Sequence, residues 1–175
     1  MYQAKKKTIY ILLTKYSDRI SRTIGVCSGC KYMHASIGLE DGRTFFSFNT
    51  KHGFCIETPL SKSRQTPCML YTIDVPEHTY QDIARRIQVF IDSESRYRFS
   101  YIGTVCCILR LPSWCIPAQN KNRYFCSQFV SELLCLTGAA QLRKPPSRFL
   151  PKDFSTDPQF SLRYQGALMG IAGVI

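Results

Sequence analysis

The feature that most constrains this chain is a pair of alternating segments joined by a tight-turn dipeptide. Met33-His34-Ala35-Ser36-Ile37-Gly38-Leu39 runs into Glu40-Asp41-Gly42-Arg43 and then Thr44-Phe45-Phe46-Ser47-Phe48-Asn49. Asp-Gly between two period-two runs is a strong hairpin signal, because both central positions of the turn favour residues that tolerate positive φ. Side chains alternate along a strand, so Met33, Ala35, Ile37 and Leu39 share one face and His34, Ser36 and Gly38 the other. In the second strand Phe46 and Phe48 join the core face, leaving Phe45, Ser47 and Asn49 opposite. A two-residue turn at Asp41-Gly42 pairs residue 40 with 43. His34 then lies directly across from Asn49, with Ser47 one diagonal step away.

Around this hairpin the chain reads as strands followed by helices. Thr8 to Leu13 is β-branched and aliphatic, a buried strand. Lys5, Lys6 and Lys7 before it imitate a signal peptide, but the apolar run is six residues long and lacks a small-residue cleavage site. Asp18 to Ile24 is read as a short helical turn, Phe54 to Thr58 as a short strand and Cys68 to Val75 as a longer one ending at Pro76. Pro76-Glu77 opens a helix with Tyr80, Ile83, Ile87 and Phe90/Ile91 on its core stripe. Phe99 to Leu111 reads as a buried helix stopped by Pro112, and Pro112 to Arg123 as a loop. From Cys126 the positions Phe129, Val130, Leu133, Leu134 and Leu136 make a helical stripe that ends at Gly138. Arg143 to Asp153, with three prolines, is expected to be extended or looped, and Ser161 to Ile175 to supply a last strand.

Length and composition set the class. At 175 residues, 45% hydrophobic, the chain suits a single domain, residues 1–175, with a continuous core. No apolar run reaches the roughly 18 residues that span a bilayer. The expected location is the cytoplasm, and the nine cysteines, an odd number, are expected to be reduced. The excess of 23 Lys and Arg over 12 Asp and Glu, +11 in all, is spread along the chain. It suits an anionic surface or polymer, and without a nucleic-acid-binding motif it specifies no nucleic acid.

Chemistry concentrates at few positions. Cys27-Ser-Gly-Cys30 has the spacing of a redox or zinc site, but no second pair of ligands accompanies it, and a turn at Ser28-Gly29 accounts for it. Cys126 falls at a helix start, where unpaired N–H groups and the helix dipole favour a thiolate. Of the three histidines, His52 sits in a Lys-His-Gly loop and His78 at a helix start, both solvated; His34 lies on a strand with polar residues opposite. A Cys/His pair with a third group orienting the imidazole is the arrangement of an activated nucleophile, and the N–H of Cys126 is a ready oxyanion donor. The other reading is a core thiol and a satisfied strand histidine.

The order of "KYMHASIGLEDGRTFFSFN" and, much later, "YFCSQFVSELL" resembles the circularly permuted papain-like hydrolases of the NlpC superfamily, in particular the YiiX-like branch. "IYILLTKYSDRISRTIG" is similar to that family's opening strand and helix, and "PSRFLPKDF" to its segment after the cysteine helix. The resemblance implies an α+β fold, with a mostly antiparallel sheet or small barrel packed against helices. It implies Cys126 as nucleophile, His34 as base and a third polar residue on the second hairpin strand. Pairing favours Asn49 for that third role and alignment of "FFSF" favours Ser47. It further implies acyl transfer without metal or cofactor, on a peptide, a cell-wall amide or a lipid. A binding module of the same fold, using its basic surface, is the alternative.

Overall fold

The computed structural model describes residues 6–15, 31–39, 42–59, 64–111 and 122–175. Six strands form one antiparallel sheet: β1 (Lys6–Thr14), β2 (His34–Gly38), β3 (Phe45–Asn49), β4 (Gly53–Glu57), β5 (Pro67–Pro76) and β8 (Ser161–Ala167), in the order β4-β3-β2-β1-β5-β8. A two-stranded parallel pair, β6 (Arg98–Phe99) with β7 (Arg123–Tyr124), stands apart. Three main helices, α1 (Glu77–Asp92), α2 (Tyr101–Ile108) and α3 (Cys126–Leu136), and the shorter α4 (Pro151–Thr156) complete an α+β fold.

β1 is the centre of the sheet because its apolar residues leave no solvent face to satisfy. Ile9, Ile11 and Leu13 turn to one side and Leu12 to the other, all but excluded from water. The first side carries the main core. Ile9, Ile11, Ala35, Ile37, Phe46, Phe48 and Phe54 pack against Ile83 and Ile87 of α1 and Phe129, Val130, Leu133 and Leu134 of α3. Phe45 was expected to be away from the core. It is instead fully buried in a second, smaller core with Leu12, Cys68, Leu70, Leu168 and Ile171, the last two from a 3₁₀ turn at Leu168–Gly173 that follows β8.

The hairpin register is the expected one: Ile37 opposes Phe46 and Gly38 opposes Phe45. Gly42 has φ of 56°, and a Cβ there would stand 1.6 Å from Cγ2 of Ile175, so both conformation and space call for glycine. β3 continues into β4 through a second turn in which Asn49 pairs with Gly53 at φ of 80°. Gly138 ends α3 at φ of 69°.

Two further expectations change. α2 is not a buried helix: Gly103, Cys106 and Cys107 face inward, whereas Tyr101, Ile102 and Val105 face water. Pro151 does not keep its segment extended. It occupies the first turn of α4, where its missing N–H costs nothing, and Asp153 accepts the N–H of Leu150 through its carboxylate at 2.8 Å. Among the described residues no helix is long and apolar enough to cross a membrane.

Candidate functional site: a thiol, an imidazole and a carboxylate

Packing of the residues just before them brings Cys126 and His34 together. Phe125, which precedes the cysteine, is buried with Cys107 of α2 and Leu150, and Met33, which precedes the histidine, packs on the same cluster. The β6–β7 pair anchors this corner, with the N–H of Ser100 donating to the carbonyl of Tyr124 at 2.8 Å. Cys126 is the first residue of α3, and its N-cap Phe125 offers no side-chain acceptor to the first turn. Those N–H groups and the helix dipole are left to an anion at this end.

The thiol and imidazole are near enough that each shifts the other's protonation through hydrogen bonding and charge, and Sγ lies 3.8 Å from the carbonyl oxygen of Met33. On the far side of the ring, Nε2 of His34 stands 3.0 Å from each carboxylate oxygen of Glu57. With Nε2 committed to the carboxylate, Nδ1 is the nitrogen left to exchange a proton with sulfur. The three groups are 8%, 3% and 8% exposed for Cys126, His34 and Glu57, so little water screens them.

Burial by itself would push the His34 pKa down, but the charge of Glu57 and the hydrogen bonds to Cys126 and Glu57 outweigh it and hold the imidazole up at about 9. Burial likewise pushes the Cys126 thiol up. The hydrogen bond and charge of His34, with the backbone N–H groups of Ala35 and Ser127, more than reverse that and bring it down. The pair therefore favours thiolate and imidazolium over thiol and imidazole.

The third position belongs to neither Ser47 nor Asn49. Asn49 accepts the N–H groups of Lys51 and His52 on Oδ1 at 3.0 and 2.8 Å, closing the β3–β4 turn. Ser47 donates its hydroxyl to the carbonyl of Ala35 at 2.6 Å. Phe45 opposes Glu57, and Ser47 opposes Cys55. Continuing the β2–β3 register sets Ser36 across from Ser47, so the line from His34 to Glu57 crosses β3 over Ser47. A serine folded down onto the backbone leaves that diagonal open. Cys55 borders it, its Sγ 3.8 Å from Oε1 of Glu57.

Glu57 had a legible signal. Residues 53–57, Gly-Phe-Cys-Ile-Glu, alternate, and two successive hairpins put Cys55 and Glu57 on the His34 face. The first turn alone offers Asn49, a turn-former four residues before Gly53, and Glu57 emerges only with the second turn. His52 and His78 are both exposed. Cys27 and Cys30 lie outside the described residues. The described cysteines, Cys55, Cys68, Cys106, Cys107, Cys126 and Cys135, are free thiols, and burial raises Cys68 to about 11.

A cavity of about 210 Å³ lies between α1 and α3, walled by Arg86, Phe90, Tyr124, Phe129, Glu132 and Leu133 among others. Tyr124 donates its hydroxyl to Glu132 there at 3.3 Å, and burial raises both groups. None of the trio lines this cavity. The chemistry is assigned to the trio because it sets a buried thiol, a buried imidazole and a buried carboxylate side by side. No protein-family model matches the chain, and no curated protein matches it.

Proposed function

We propose that the chain is a cysteine hydrolase or acyltransferase acting through an acyl-enzyme. The observation that carries this is the unbroken line Cys126–His34–Glu57, in which a buried thiol is lowered and a buried imidazole raised. Cys126 as thiolate adds to an amide, ester or thioester carbonyl. The oxyanion is held by N–H groups at the start of α3, and His34, as imidazolium, gives its proton to the leaving group. Neutral His34 then takes a proton from water or another acceptor, which attacks the acyl-enzyme and frees the thiolate. Glu57 fixes the ring and stabilises its charged form without taking the proton.

The order of the parts, a histidine hairpin before a cysteine helix, supports the permuted papain-like arrangement of the NlpC superfamily. The carboxylate, however, stands on the third strand of the sequence hairpins rather than the second.

The test is competitive thiol labelling. With limiting iodoacetamide near neutral pH, mass spectrometry should find Cys126 modified ahead of the other cysteines, and His34→Ala should slow that modification. Equal labelling of several cysteines, indifferent to His34→Ala, would instead support a binding module whose +11 charge does the work.

A further inference from the structure

We propose that the outer side of α2 is a docking face for an anionic lipid surface. Tyr101, Ile102, Val105 and Leu109 are each half or more exposed, at 57%, 60%, 50% and 59%. Their spacing places them on one stripe of the helix and its C-cap. The inner side is already used, by Gly103, Cys106 and Cys107. A helix apolar all round ordinarily lies inside a core, and this one lies at the surface.

The charge around the stripe decides the occupant. From Ser95 to Ser131 the sequence holds Arg96, Arg98, Arg110, Lys121 and Arg123 and no Asp or Glu. The four arginines are exposed, and none of the ion pairs among the described residues uses them.

Arg110 is the sharpest of these. The N–H of Leu111 bonds the carbonyl of Cys106 at 3.0 Å and that of Arg110 bonds Cys107 at 3.3 Å, closing α2 with a left-handed residue at φ of 53°. Glycine is the usual residue there, and an arginine is held against a conformational penalty. It sets a cation at the end of the apolar stripe.

An apolar stripe with exposed arginines near both ends, Arg98 and Arg123 on the β6–β7 pair at its start and Arg110 at its close, matches acyl chains beneath anionic headgroups. A second copy of this chain would bring the same cations against one another, and a polyanion would leave the stripe in water. Docking would also set the thiol near the interface, because the inner side of α2 packs through Cys107 on Phe125, the residue before Cys126.

The test uses the full chain and sedimented vesicles, read as bound fraction without turnover, so it stands or falls separately from the thiol chemistry. Vesicles of phosphatidylcholine with about 30% phosphatidylglycerol should bind the protein, and vesicles of phosphatidylcholine alone should bind it far less. The double substitution Ile102→Glu with Leu109→Glu should weaken binding at least about tenfold, and Arg110→Gln about fivefold. Both changes are on exposed side chains, and matching far-UV circular dichroism and urea midpoints check the fold. Binding equal on neutral vesicles, no binding at all, or a double variant and Arg110→Gln both indistinguishable from wild type would overturn the proposal. So would wild-type self-association that the double variant abolishes without any vesicle binding.

Discussion

An imidazole as deeply buried as His34 would ordinarily lose its proton below neutral pH, because a low-dielectric site penalises the cation. Here the ring is pulled the other way, from 6.5 to about 9, which links folding to pH. The folded chain holds this proton more tightly than the unfolded one. The resulting stability is complete below pH 6.5 and is lost as pH rises through about 9. On a Cys126→Ala background, which leaves one titrating partner, Glu57→Gln should cost on the order of 2–3 kcal/mol in urea unfolding at about pH 6. That cost should shrink as pH rises and the imidazole gives up its proton. With Cys126 present, Glu57→Gln should slow iodoacetamide labelling about tenfold or more near neutral pH, since each unit of lost pKa separation is tenfold. Asn49→Ala should leave labelling unchanged and cost about 1 kcal/mol through its turn. Equal effects of the two substitutions on labelling would remove Glu57 from the site. The thiol and the imidazole of the proposed site were legible as residues because one opens a helix and the other faces off-core on a strand. Their partner was not, because it is fixed by the register of a second hairpin.

Among the elements, the β3–β4 turn has little freedom. A Cβ on Gly53 would stand 2.3 Å from the carbonyl oxygen of Tyr97, a backbone atom that cannot swing aside. With φ at 80° as well, Gly53→Ala should cost about 2 kcal/mol or more in urea unfolding. It should also slow Cys126 labelling, because Glu57 ends the strand that this turn starts. A variant as stable and as reactive as wild type would show that the turn does not govern the site. Strand order and helix starts were readable where local chemistry dictates them: Asp-Gly at the hairpin, Pro76 before α1, Gly138 after α3. Two elements differ from what their sequences suggest, for one reason each. Hydropathy reports that α2 is apolar but not which of its sides the fold covers. Proline at 151 reads as a breaker unless the carboxylate that accepts the preceding N–H is counted with it.

At the scale of the molecule, one aromatic cluster seats α3 on the sheet. The ring of Phe129 lies 5.2 Å from that of Phe48, 5.8 Å from Phe54 and 5.0 Å from Phe90, tying β3, β4 and α1 to the helix one turn beyond Cys126. Phe129→Ala should cost about 3–5 kcal/mol by urea unfolding. Where the variant still folds it should label more slowly at Cys126, because sulfur and imidazole lose their register. The trio is assembled from contacts of very different reach. His34 and Glu57 are 23 residues apart, whereas the sulfur meets the carbonyl of Met33 across 93 residues. A growing chain therefore holds His34 and Glu57 well before Cys126, and the three groups can meet only once the cysteine helix is synthesised and docks. On the proposed chemistry only then does an ordinary thiol become a reactive one, so its speed of alkylation would double as a clock for the last long-range step of folding.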